Sequence, residues 1–229
     1  MIISIHQPNF FPWFGYFLKI ARSNTFVFLD DVLISNSSSY VNRTAINING
    51  RAQWLTVPVR RENKYGLIKN TDYLHTDWRR KVINTLVLNY SKAKHYKSNI
   101  EFIINLIEFK EDNISTFNIN VIKAILKKLN VNTKIYYSSK YLVEAEATER
   151  LISIIKKLNG KIYLSGMGGE KYQQKEIFLS NSIDIKYNTF KHPEYNQYRT
   201  KKFIMGLSIL DFLFNIGIDR TKLFINNAL

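Results

Sequence analysis

Four stretches of this 229-residue chain combine residue types that do chemistry at spacings a fold can use. The first is His6-Gln7-Pro8-Asn9, which follows the apolar run 2–5 and precedes Pro12 and an aromatic stretch at helical spacing. A histidine at a strand end, just ahead of a helix N-terminus, sits where backbone N–H groups and a positive dipole end converge. A neutral His6 would act as a general base, and a charged one would stabilise an anion. Asn9 would orient the reacting group, and Gln7 would touch substrate. A histidine that only ties down a turn would show the same pattern.

The second stretch is Ser165-Gly166-Met167-Gly168-Gly169, directly after the apolar run 161–164. Glycines at a strand end let a ligand approach the backbone, or permit positive φ. The spacing is neither G-x-G-x-x-G nor a P-loop, and an ordinary tight turn would look alike. The third is Asp30-Asp31, closing the apolar run 25–29, with Asn42-Arg43 downstream. Adjacent carboxylates suit a ribose or a cation, or simply a solvated loop start. Arg43 suits a phosphate or carboxylate. The fourth is His192-Pro193-Glu194-Tyr195 with Gln197 and Arg199, the polar side chains that sugars and phosphates use, or a plain aromatic surface loop. Asp30 joins His6 and Asn9 as the catalytic candidates. Gln7, Asp31, Asn42, Arg43, Ser165, Gly166, Gly168, Gly169, His192, Tyr195, Gln197 and Arg199 are the substrate-binding candidates. No His/Asp/Glu spacing suggests a metal site. The absence of Cys excludes a thiol nucleophile, a Cys-based zinc site and any disulfide framework.

The elements that must position these groups alternate. Strands are predicted at 2–5, 25–29, 134–137, 161–164 and 183–187, with an edge strand at 53–59 because it contains Pro58. Helices are predicted from Pro12 through Ile20, from Asp77 onward, at 96–109, 114–129, 148–158, 175–181 and 208–216, with Gly217 as a C-cap glycine. Strands joined by helices are parallel. The expected class is therefore α/β: one domain over 1–229, a mostly parallel Rossmann-like sheet flanked by helices, and a helical insertion around 77–130. In such sheets ligands bind beyond the carboxyl ends of the strands.

The net charge is +15, from 33 Lys+Arg against 18 Asp+Glu. That balance steers anionic partners. The basic residues come as pairs and triplets, such as Arg79-Arg80-Lys81, without a block of five or six, so nucleic acid is the lesser reading. No apolar run reaches the roughly 18 residues of a membrane span. Nothing in the opening residues reads as a signal peptide. A cytoplasmic location is expected.

The chain resembles the WbqC-like family. His6-Gln7-Pro8-Asn9, Pro12-Trp13, Gly15-Tyr16, Lys19-Ile20-Ala21, Phe26-Val27 and Leu29-Asp30-Asp31 carry the likeness at the N-terminus. Asn42-Arg43, the run 54–59, Tyr163-Leu164-Ser165-Gly166, the run 192–197 and the run 207–211 carry it further. The resemblance implies a step in bacterial surface-polysaccharide (O-antigen, lipopolysaccharide) synthesis. A transferase forming an amide on the amine of a nucleotide-activated amino sugar is the implied activity, with ATP or an activated acyl donor as co-substrate. A non-catalytic binding or assembly protein of the same pathway is the alternative. A weaker likeness links the opening strand, loop and helix to nucleotidylyl-transferase folds, which carry two histidines where this chain has His6 alone.

Overall fold

The computed structural model describes residues 1–34, 39–60, 66–141, 143–169 and 173–229. Five strands form one all-parallel sheet: β1 (Ile2–His6), β2 (Thr25–Phe28), β5 (Lys134–Tyr137), β6 (Ile162–Ser165) and β7 (Asp184–Tyr187). Their order is β5-β2-β1-β6-β7. The chain builds outward from β1 in one direction, then returns to build outward in the other. The α/β class read from the sequence is the class observed.

Alternation decides which face each strand residue meets. Ile3, Ile5 and Val27 pack against Ile152, Ile154 and Ile155 of α5 (Ala147–Lys157) and Phe178 of α6 (Lys175–Ser180). Phe26 and Phe28 join the larger cluster on the other face. Its members include Phe14 and Phe17 of α1 (Phe14–Ala21) and Phe212 of α7 (Ile209–Asn215). Residues of α2 (Trp78–Tyr90), α3 (Tyr96–Ile107) and α4 (Ile114–Lys128) lie in that same cluster. The helical segment thus shares its core with α1.

Two details differ from the sequence reading. The strand expected at 53–59 is β4 (Arg51–Thr56), and it pairs with β3 (Arg43–Ile48) in an antiparallel hairpin. The turn is Asn49-Gly50, both with positive φ (51° and 79°), the type I′ signature that fits the strand twist. Gly217 does follow α7 with φ 79°, but it also opens α8 (Gly217–Asn226). A side chain there would press on the His95 ring at 2.8 Å.

Candidate functional site

The sheet order reverses between β1 and β6, so the crevice beyond their carboxyl ends is the topological switch point. His6 is the last residue of β1, and Ser165 is the last of β6. Ile3 pairs with Tyr163, so the two strands end side by side.

The loop after β1 is held from every side. Leu29 N–H donates to His6 O at 2.8 Å, and the Tyr16 hydroxyl donates to Gln7 O at 2.8 Å. Asn118 of α4 spans Pro8 O and Val41 O with one amide nitrogen, at 2.9 and 2.7 Å. Phe10 N–H donates to Tyr40 O at 2.9 Å. Phe11 adopts φ 38°, and its carbonyl accepts both Thr44 Oγ1 and Ser208 Oγ, at 2.9 and 2.8 Å. A non-glycine residue there is strained and persists only where its surroundings over-determine it.

Inside this rigid loop the polar groups are under-paired. Asn9 is 6% exposed, yet its Oδ1 has no hydrogen-bond partner among the described residues. Its backbone bonds the Tyr16 hydroxyl, whose ring packs edge-on against His6 at 4.9 Å. His6 Nδ1 faces Gln7 O at 3.2 Å, which makes Nδ1 the protonated nitrogen and leaves Nε2 its lone pair. Desolvation, with the Lys19 charge as the second cause, lowers the imidazole from 6.5 to about 3. Lys19 itself is 3% exposed, and its Nζ donates to Ile5 O at 3.1 Å. Burial lowers it from 10.5 to about 7. A buried ammonium with one carbonyl for its three donors among the described residues is poorly stabilised.

The loop after β6 is a short 3-10 turn, Met167–Gly169, with Gly169 N–H donating to Gly166 O at 2.9 Å. A Cβ at Gly166 or Gly168 would meet nothing within 4 Å, so the space outside these glycines is open. Gly169 is different, because a Cβ would strike Ser165 Oγ at 2.6 Å. Asn188 joins the two halves: its N–H donates to Ser165 O at 2.8 Å, and its amide donates to Gly15 O of α1 at 3.0 Å. Ser165 shares its sheet face with Tyr163 and Ile5, while His6 turns to the Tyr16 face. The two loops adjoin, but these two side chains point to opposite faces.

The other candidates are engaged elsewhere. Asp30 accepts from Ser138 Oγ, Ser139 N–H and Ser139 Oγ at 3.0, 2.9 and 2.7 Å. Asp31 takes Ser138 Oγ and an ion pair with Arg150. Together they pin the turn after β5 to the end of β2. Beside them Lys69, Lys123 and Tyr137 line a cavity of about 300 Å³. Asn42 clamps Val57 O at 2.9 Å, and the Arg43 guanidinium lies 4.3 Å over the Trp54 ring.

The 192–199 stretch is organised around Asp211, which closes the run 207–211 but was not among the candidate site residues. Asp211 is fully buried and accepts from Tyr195 at 2.7 Å, Tyr90 at 2.9 Å and Gln197 at 3.2 Å. Gln197 also exchanges two bonds with the Ile204 backbone. His192 stacks on Trp13, donates from Nδ1 to Pro193 O at 3.1 Å and receives Gly206 N–H on Nε2 at 3.5 Å. Arg199 sits at φ 57° with its guanidinium over Tyr198.

The structure therefore places His6, Gln7 and Asn9 in the loop after β1 and Gly166–Gly169 in the loop after the neighbouring β6, at the same end of the sheet. It sets Asp30 and Asp31, Asn42 and Arg43, and the 192–199 group on three neighbouring supports. Tyr16, Lys19, Asn188 and Asp211 were missed as site or support residues. Tyr16 and Lys19, three apart on the β1-facing side of α1, were the readable signal. Among the described residues no three His, Cys, Asp or Glu side chains are placed to hold a metal ion. No helix there is long and apolar enough to cross a membrane.

The chain is 29% identical over 226 residues to the uncharacterized protein Rv1507c of Mycobacterium tuberculosis (strain ATCC 25618 / H37Rv), covering 95% of this chain and 94% of that protein. No solved structure matches. The model of the WbqC-like protein family matches residues 7–223, spanning the β1 loop, the Gly166 loop and the Asp211 cluster alike, and the chain belongs to that family.

Proposed function

We propose that this protein is a transferase of bacterial surface-polysaccharide synthesis, forming an amide on the amine of a nucleotide-activated amino sugar. The observation that carries this reading is the buried Asn9 Oδ1, without a hydrogen-bond partner among the described residues, in the loop that begins at a neutral His6. Both offer lone pairs. A pair of acceptors in a dry site selects a group bearing N–H donors, such as an uncharged amine, over an anion. The neutral ring argues for orienting the amine and against holding a phosphate by charge. In the transfer, the amine nitrogen bonds the acyl carbon, the bond to the acyl leaving group breaks, and one amine proton passes by way of the His6 Nε2 lone pair to the departing group. The net charge of +15 favours an anionic sugar nucleotide or acyl donor.

The test is a thermal-shift and calorimetry panel of uridine and thymidine diphosphate amino sugars, ATP and acyl-CoA. A ligand of the folded state raises the melting temperature by mass action. The expected result is a shift with an amino-sugar nucleotide, lost in His6→Ala, and an activity drop of about 100- to 10,000-fold in that variant. No shift with any of these ligands, alongside tight salt-sensitive DNA binding, would overturn the proposal.

A further inference from the structure

We infer that Trp54 and Tyr40 form a stacking platform for the nucleobase of the bound sugar nucleotide. The inference rests on the reading above and assigns one part of the ligand to one place. Trp54 lies on β4, whose residues are exposed apart from Leu55. Trp54 is 47% exposed and Tyr40 51%, and their rings meet edge to face at 5.5 Å. Large aromatics left in water as a contacting pair are unusual when a core lies within reach, because each forgoes its burial. The Arg43 guanidinium, 4.3 Å from the Trp54 centroid, stiffens the indole. The hairpin is itself fixed by the Asn49-Gly50 turn and by Ser208 N–H donating to Ala45 O at 2.7 Å. The aromatic pair is thus preorganised.

Position ties the platform to the crevice. Tyr40 O accepts the Phe10 N–H, and Asn118 grips Val41 and Pro8 together. The platform backbone therefore runs beside the loop that carries Asn9. Charge fits as well: Arg43, on the same hairpin face as Trp54, favours the polyanionic part of a nucleoside diphosphate over an apolar partner. A flat heteroaromatic ring is the part of such a ligand that stacks on tryptophan, tolerant of base identity.

Calorimetric titration of the full chain with a uridine diphosphate amino sugar, uridine monophosphate and the matching amino-sugar 1-phosphate tests this. Trp54→Ala is expected to weaken the two uridine ligands by about tenfold or more and leave the sugar phosphate unchanged. Trp54→Phe, which keeps an aromatic face, is expected to restore most of that loss, and an unchanged melting temperature shows that the hairpin is intact. Equal affinity of Trp54→Ala and wild type for the sugar nucleotide would overturn the platform while leaving the transferase reading in place. Equal weakening of all three ligands, or a Trp54→Ala protein that no longer folds with no loss in Trp54→Phe, would also overturn it, by making Trp54 a support of the site. If the wild type binds no sugar nucleotide, both readings fall together.

Discussion

The Asp211 cluster and the Asn9 cluster are both polar, buried and built from short motifs, yet their hydrogen bonding is opposite. Asp211 receives three side-chain donors, and nearly every polar group around it is paired. Asn9 Oδ1 receives none among the described residues, and buried Lys19 donates to one carbonyl. A saturated network specifies structure, because each member is fixed by the others. An under-saturated one costs free energy in the folded protein. Such a cost is tolerated where a ligand supplies the missing partner. The two clusters share burial and polarity and differ in unmet hydrogen-bonding capacity, which Asn9 has and Asp211 lacks.

The largest expected effect breaks the saturated side. Asp211→Leu removes the acceptor of Tyr90, Tyr195 and Gln197 at once. Each buried donor left unpaired costs about 1–3 kcal/mol, so the total loss should be several kcal/mol. Chemical denaturation should show a much lower midpoint with the slope retained. A loss under about 1 kcal/mol would show that the network is not what holds the 192–199 segment to α7.

The second prediction uses pH on the under-saturated side. Folding lowers Lys19 from 10.5 to about 7. The unfolded chain therefore binds more protons between those values, and stability rises as pH rises through that window. The slope reaches up to about 1.4 kcal/mol per pH unit. His6, lowered from 6.5 to about 3, adds a loss of stability as pH falls from 6.5 toward 3. Lys19→Met should be more stable than wild type at pH 7, with the alkaline rise gone, as measured by denaturation at pH 7, 8.5 and 10. An unchanged rise would mean that Lys19 titrates normally.

Much of this was legible in the residues. The parallel strands announced themselves as apolar runs, because strands covered on both faces carry little alternation. His6-Gln7-Pro8-Asn9 and Ser165-Gly166 stood at strand ends, which placed them on the carboxyl rim of the sheet once it formed. The β3–β4 hairpin was also readable, from Ile46 and Ile48 followed by Asn49-Gly50. The role of Asp211 was not legible, although the run 207–211 that it closes was. A lone Asp inside Ser208-Ile209-Leu210-Asp211-Phe212 gives no hint of partners 14, 16 and 121 residues away. Nor could spacing show that Asp30 is consumed by Ser138 and Ser139, since that pairing exists only when β2 and β5 lie side by side.

The smallest stability effect is the sharpest test of the comparison. Asn9→Ala deletes an acceptor that has no partner among the described residues. Removing an unsatisfied buried oxygen relieves a desolvation penalty, while the lost side-chain contacts cost a similar small amount. The net change in unfolding free energy should lie within about 0.5–1 kcal/mol of zero, far from that of Asp211→Leu. Ligand affinity should behave oppositely. If Oδ1 receives an N–H from the bound amine, its deletion leaves that donor unpaired and should weaken binding by about tenfold, worth about 1.4 kcal/mol. Asn9→Asp keeps the acceptor geometry and adds charge only where its carboxyl is ionised, so any gain for a protonated amine should fade as pH falls. Paired melting curves and titrations on the same two variants read both quantities. A strongly destabilised Asn9→Ala with unchanged affinity would make Asn9 a structural residue like Asp211, and the distinction between the two clusters would collapse.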